Sequence, residues 1–441
     1  LKSGKLIVID FDCNDAAFLG AFRNALNHLK SNCGVPCPEA GEIVLNEGGS
    51  YPGIWLECGP FESTFYAPIE PEIALASHRI FYRLQKADGQ FPAFCRTDGP
   101  GFSQIQQVVP IAATAYELGF MLGDEKFLAE SYEACRRWEE WLSRHRDHDR
   151  LGLCEVFCCY DTGHDNSPRF AGIPDECSEK DAAQCPDAPG MPRLAPDLSA
   201  NRFGARKALV ALAQILGKPD EASRWEAAAE QTRKAILRYC YDPESEFFYD
   251  RDCRGNLIKI KGDAGLRVLG EHVVSQEMFD RIFERHLSNR KSFNTPYPFP
   301  SIAADEPVFV HPPVWNSWGG PSQALCALRS TRYLEYYGHP EFQAHLMKRW
   351  LEALVRSGKF CQQLDPFTGE SSTTEFYTPA LCCMIDFTAR LSGVVQMPDS
   401  LRWGCAPPGS STRWHYAVDL YGGGRAETVS SESGVELRLN G

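Results

Sequence analysis

No stretch of this sequence approaches the roughly 18 consecutive apolar residues that a membrane-spanning helix needs. Basic charge is short as well: 45 Lys and Arg stand against 58 Asp and Glu, a net charge of −13. So acidic a chain argues against nucleic acid or an anionic membrane as its partner. There is no Gly-x4-Gly-Lys-Ser/Thr loop to cradle a phosphate and no Gly-x-Ser-x-Gly elbow to expose a nucleophilic serine. Zinc-finger spacing is missing too, because no second Cys or His pair follows Cys33-x3-Cys37. His145, Asp147, His148 and Asp149 interleave with Arg144, Arg146 and Arg150, which reads as a solvated charged turn rather than a metal site. No metal and no cofactor are expected.

What is present is core. Hydrophobic residues make up 43% of the 441 residues, enough to fold without staples. The 18 cysteines are scattered, and Cys135, Cys326, Cys382 and Cys383 fall in apolar helical stretches, where a thiol behaves as a small hydrophobe. A reduced, cytoplasmic protein is the expectation, with a removed signal segment left open because the chain begins at Leu1. Aromatics reach 12%, with 9 Trp, side chains suited to stacking on sugar rings. Oligomeric state is not legible.

Helical periodicity dominates after residue 70. Apolar residues recur at i, i+3, i+4 and i+7 over 71–84, 109–122, 127–142, 201–216, 220–237 and 323–337. Leu128, Tyr132, Cys135, Trp138 and Leu142 share one helical face, with Glu133, Arg136, Arg137 and Glu140 on the other. Gly123, Gly217 and Gly338 each separate two amphipathic helices and suit a left-handed C-terminal cap. Eleven or twelve helices in hairpins fit an all-α fold, an (α/α)6 barrel over residues 1–398. An irregular helical bundle is the alternative. Residues 247–260 read as a β-hairpin around Arg254-Gly255-Asn256, and residues 399–441 as a small β-rich C-terminal tail. Long polar and aromatic loops at 48–60, 161–196 and 294–321 have the length of functional loops.

The segment Asp161-Thr-Gly-His-Asp165-Asn-Ser-Pro-Arg169-Phe170 gathers two acids, an amide, a His and an Arg beside aromatic residues, and Pro168 keeps it out of helix. A carboxyl group near Arg and apolar rings has a movable pKa, as acid catalysis requires. On residue types alone, a catalytic loop and a structural turn locked by an Arg–Asp pair are equally good readings.

This segment resembles the general-acid loop of the inverting α-glycosidases of glycoside hydrolase family 63, including the related glucosylglycerate and mannosylglycerate hydrolases, and more distantly the trehalases. Three further segments agree in order. Trp55-Leu-Glu57-Cys-Gly-Pro-Phe61 is similar to the family's Trp-Asp-x-x-Phe substrate loop, with Glu57 where Asp is usual. Asn316-Ser-Trp318-Gly-Gly320-Pro-Ser resembles its Trp-Arg-Gly-Pro loop, with Gly319 replacing Arg. Gln362-Gln-Leu-Asp-Pro-Phe-Thr-Gly-Glu370 resembles Glu-Asn-Tyr-Asn-Pro-x-Thr-Gly-Glu, whose first Glu is the general base. The resemblance spans about residues 50–392 and implies the same barrel, hydrolysis of a small α-linked glucoside or mannoside, and Asp165 as the general acid.

Gln362 breaks the pattern, since a neutral amide takes no proton from water at a useful rate. Three explanations stand: an isosteric Glu-to-Gln replacement, another carboxylate as base (Glu375 first, then Glu370, as in a rhamnosidase-like toroid enzyme), or sugar binding without cleavage. Candidate substrate-binding residues are Trp55, Glu57, Phe61, Gln107, Asp161, Asn166, Arg169, Trp315, Trp318, Gly320 and Tyr377. For Trp315 a place in the core is the stronger expectation. Gln107 is as suited to a helix start as to a ligand. Arg169 is as suited to orienting Asp165 or Asp161.

Overall fold

Gly123, Gly217 and Gly338 do close helices in the left-handed conformation, with φ of 64°, 68° and 78°. After Gly123, Asp124 accepts from Phe127 N at 2.9 Å and caps the next helix. The computed structural model describes residues 9–440. Among them are twelve α-helices: α1 Ala16–Ser31, α2 Gly59–Tyr66, α3 Pro71–Arg83, α4 Ile111–Leu122, α5 Glu125–His145, α6 Pro196–Ile215, α7 Pro219–Tyr239, α8 Asp263–Gly270, α9 Gln276–Ile282, α10 Ala324–Leu334, α11 Pro340–Ser357 and α12 Thr378–Ser392.

The even-numbered helices pack on one another in a cycle. α2 meets α4, α4 meets α6, α6 meets α8, α8 meets α10, α10 meets α12, and α12 returns to α2. Burial follows this division. Every residue of α8 is buried, and every residue of α12 except Arg390. The odd helices carry one apolar face. α5 buries Leu128, Tyr132, Cys135, Trp138 and Leu142, the face expected from its periodicity. Trp141 and Trp350 are among the largest fully buried side chains, and emptying either site to Ala costs about 3–5 kcal/mol.

Strands are more numerous than an all-α reading suggests, but most are two or three residues long. The 247–260 segment forms the expected hairpin, with Asp250–Arg251 paired to Leu257–Ile258. The terminal sheet is not built from the tail alone. Ile9–Cys13 pairs with Trp414–Asp419 in the register Ile9↔Val418 to Cys13↔Trp414, followed by Arg425–Ser431 and Gly434–Asn440. Trp414 Nε1 donates to Ser392 O at 2.9 Å and pins this sheet to the end of α12.

The cysteines behave as thiols in a core at Cys135, Cys326, Cys382 and Cys383, all buried. The all-thiol expectation fails at Cys37 and Cys95, which are joined in a disulfide across 58 residues. Cys37 is therefore no partner of Cys33 in a metal clip, and such a cross-link belongs to oxidising surroundings more than to reducing ones. No helix is long and apolar enough to cross a membrane among the described residues.

Candidate active site

Loops that lead into the N-termini of α2, α4, α6, α10 and α12 converge on one cavity of about 210 Å³. Trp55 and Glu57 come from the loop before α2, and Gln104 and Gln106 from the loop before α4. Tyr160, Gly163, Asp165 and Glu176 come from the long segment before α6, Trp318 from that before α10, and Gln362 and Tyr377 from that before α12. Glu47, Tyr51, Phe94 and Arg96 complete the lining. Acids, amides and aromatic faces around a space of this size suit a polyhydroxylated ligand.

Asp165 is held by a neighbouring loop. Asn316 Nδ2 donates to its Oδ2 at 2.8 Å, Trp318 N donates to its backbone O at 2.9 Å, and Asn166 Nδ2 donates to Asn316 O at 2.9 Å. Asn166 itself is exposed and acts as a clasp between loops. Burial pushes the Asp165 carboxyl up to about 7, and the Glu57 charge adds to this while the Asn316 bond opposes it. That is the range in which a carboxylic acid donates a proton at neutral pH.

Beneath the acid loop lies a buried ionic layer. Arg169 makes bidentate pairs with Asp197 and Asp250, and Asp263 takes Arg267 and Arg329. His164 bridges them, with Nε2 3.1 Å from Asp263 and Nδ1 3.0 Å from Arg169. Burial, reinforced by the Arg267 charge, pushes His164 down to about 3, so it is a neutral strut. Arg267 Nη1 donates to Thr162 O at 2.7 Å and ties the layer to the loop. Trp318 lies over this layer, 5.6 and 5.8 Å from the Arg267 and Arg329 guanidinium carbons, and is also part of the cavity lining.

Several sequence expectations are corrected here. Arg169 reaches neither ligand nor Asp165 directly, because its guanidinium is consumed by Asp197 and Asp250. Asp161 is fully buried and pairs with Arg146, while its oxygens also accept from Ile105 N and Phe157 N. It staples two loops together and faces no cavity. Arg146 is thereby no part of a solvated turn, being fully buried itself. Its guanidinium also reaches Cys177 Sγ at 3.4 Å, so a cation already sits among Cys158, Asp161 and Cys177, the one group of potential metal ligands among the described residues. Gln107 accepts from Trp138 Nε1 at 2.9 Å, and its neighbour Gln106 lines the cavity instead.

Phe61 lines a different cavity, of about 260 Å³, between α2, α12 and the terminal sheet. Trp315 is 65% exposed on the loop before Asn316, neither core nor cavity wall. Glu375 is half-buried and does not line the cavity. Gly320 contributes shape: a Cβ there would lie 2.2 Å from Val310 O. At Gly319, where the resembling family has Arg, a Cβ would lie 2.8 Å from Pro168 of the acid loop.

Gln362 does sit in the wall, inside a directional chain. Tyr51 Oη donates to its Oε1 at 3.0 Å, its Nε2 donates to Asn316 Oδ1 at 2.9 Å, and Asn316 then donates to Asp165. An amide at 362 accepts at one end and donates at the other, which a carboxylate does not. Three residues at the centre of this site, Glu47, Tyr51 and Asn316, were not assigned a role from the sequence. The long loops at 48–60 and 294–321 contain or adjoin all three.

Residues 51–378 match the model of the mannosylglycerate hydrolase MGH1-like glycoside hydrolase domain. The chain belongs to this glycoside hydrolase family. Solved structures agree in fold. The chain superimposes on a family 63 mannosylglycerate hydrolase from Thermus thermophilus with a TM-score of 0.68, at 19% identity over 83% of this chain and 100% of the other. It matches a family 78 rhamnosidase of Bacillus sp. GL1 at 0.69, with 14% identity over 98% of this chain and 41% of that one. Neutral trehalase from Saccharomyces cerevisiae matches at 0.62, with 13% identity over 78% of this chain and 73% of the other. The MGH1-like match takes in every loop of the cavity except that carrying Glu47, which lies just before it.

Proposed function

We propose that this glycosidase is an inverting, exo-acting hydrolase of a small α-linked glucoside or mannoside, built on an (α/α)6 barrel whose inner ring is α2, α4, α6, α8, α10 and α12. The observation that carries the reading is Asp165, a largely buried carboxyl raised to about 7 in a sugar-sized cavity with Trp55, Trp318 and Tyr377. Asp165 protonates the departing glycosidic oxygen as the C–O bond breaks, and water attacks the anomeric carbon from the opposite face. Trp55 and Trp318 supply apolar ring faces, while Glu57 and Gln106, joined by a 2.9 Å hydrogen bond, meet hydroxyls. The related Thermus enzyme is a mannosylglycerate hydrolase with structures holding glucose, or Tris with D-glycerate, which supports a small glycoside over a polymer.

The test is a panel of α-mannosides, α-glucosides and their glycerate conjugates, with product anomers followed by NMR. Release of the β-anomer by the native chain and its loss in Asp165→Asn are expected. Release of the α-anomer contradicts inversion. Sugar binding without cleavage is the second reading, favoured by the amide at 362, and it predicts saturable binding of the same panel with no turnover.

A further inference from the structure

We propose that Glu47 is the group that activates the hydrolytic water, in place of the carboxylate that position 362 lacks; this rests on the hydrolase reading above. Four carboxylates line the cavity: Glu47, Glu57, Asp165 and Glu176. Two of the others share the acid's side. Glu57 is pressed on Gly163 of the acid loop, where a Cβ would lie 2.2 Å from Glu57 Oε2, and it is engaged by Gln106. Glu176 follows Asp175, whose carbonyl accepts from Tyr160 N at 3.0 Å on the same segment.

Glu47 alone belongs to the wall that contains Gln362. Its backbone carbonyl accepts from Thr378 N at 2.8 Å, and its N donates to Gly53 O at 2.8 Å. Three residues on, Ser50 N donates to Thr374 Oγ1 at 2.6 Å, Gln362 N donates to Thr374 O at 3.0 Å, and Tyr51 reaches the Gln362 amide. The 46–51 loop is clamped to this wall without slack. Gly48 and Gly49 have φ of 79° and 61°, and a Cβ on either would fall within 2.6 Å of Phe376 O or Thr374 Oγ1. Glu47 is thus carried into the cavity beside position 362.

Its surroundings fit no structural purpose. Buried Asp161, Asp197, Asp263, Glu139 and Glu271 each face an arginine, whereas Glu47, at 7% exposure, has no ion-pair partner among the described residues. A buried acid without a cation is costly, and such groups concentrate at functional sites. Glu57 and Glu62 are the other such cases, but Glu57 is pressed on the acid loop and held by Gln106, and Glu62 does not reach the cavity. Burial, with the charges of Glu62, Glu57 and Asp165, pushes Glu47 up, and a hydrogen bond from Tyr377 opposes the shift.

The step balances. Water oxygen bonds the anomeric carbon while the glycosidic C–O bond breaks. One water proton passes to Glu47, and the Asp165 proton passes to the leaving oxygen. Solvent then removes the first proton and restores the second.

The experiment uses the full chain with Glu47→Gln, Glu47→Ala, Glu57→Gln and Asp165→Asn, on the best natural glycoside of the panel and on the 2,4-dinitrophenyl glycoside of the same sugar, with and without sodium azide. Loss of a positioned base lowers kcat by about 10²–10⁴-fold, equally for both leaving groups and with KM little changed. Azide, which needs no base, restores turnover in Glu47→Ala and yields the β-glycosyl azide. The Asp165→Asn loss shrinks with the dinitrophenyl substrate and yields no azide product. The isosteric Glu47→Gln keeps the clamp contacts, and its melting curve separates chemistry from misfolding. A Glu47 variant within tenfold of native kcat, or a loss that depends on the leaving group without azide rescue, overturns the proposal and leaves the hydrolase intact. A native chain that cleaves nothing in the panel overturns both.

Discussion

The two walls of the cavity are built on opposite plans. The acid is carried by one contiguous segment, residues 161–170, seated on a buried layer of paired charges in which Arg169, Arg267 and Arg329 neutralise Asp197, Asp250 and Asp263. The facing wall is assembled from 46–51 and 362–378, held by hydroxyl and backbone hydrogen bonds with no ion pair at its centre. Rigidity and contiguity go with the half of the site whose chemistry resembles the family. The half assembled from distant loops is where the pattern's base carboxylate is missing, at Gln362.

The sharpest way to break this contrast is at the acid. Asp165→Asn is expected to lower kcat on a natural glycoside by about 10³-fold, and assays across leaving groups check it. Next comes the layer beneath. Arg169→Leu leaves Asp197 and Asp250 short of a partner and is expected to cost about 3–5 kcal/mol, read as a fall in denaturation midpoint, whereas Thr374→Val on the opposite wall costs about 1–2 kcal/mol.

The raised acid also has a stability signature. Because Asp165 binds its proton more tightly folded than unfolded, the folded state loses stability as pH rises from the ordinary carboxylate range toward 7. Asp165→Asn is therefore expected to stabilise the protein by about 2–4 kcal/mol at pH 8 and by little at pH 4, measured by chemical denaturation at both. Activity of the native chain falls through the same region, near pH 7, as the acid ionises.

A smaller effect sharpens the other wall. In Gln362→Glu an ionised carboxylate faces Asn316 Oδ1, which then loses its donor, so the substitution is expected to lower kcat by about tenfold rather than raise it. An increase would return the base to position 362. Least of all, Trp315→Ala on the exposed loop is expected to move stability by no more than about 0.5 kcal/mol.

Periodicity made the helices legible because α5 and α7 have one wet face. Helices α2, α8 and α12 are buried nearly all round, so composition marks them as core without fixing their partners. In the site, Asp165 was legible because its determinants are local in sequence. Arg169 and Asp161 were misread because their partners lie in other segments: Asp197, 28 residues away, and Asp250, 81 away, for Arg169, and Arg146, 15 away, for Asp161. Glu47 carried no signal beyond the glycine pair after it, since its meaning depends on Thr374 and Thr378 more than 300 residues later.

The return of α12 onto α2 also sets when the molecule comes together. Residues 59–66 meet α3 and α4 early in the chain, but their cover is completed only by residues 378–392, and that late segment brings Gln362 and Tyr377 with it. A chain still emerging from the ribosome has its acid loop long before it has a closed ring. The contacts that finish folding are among the last made, carry a large loop-closure entropy, and complete the cavity in the same event.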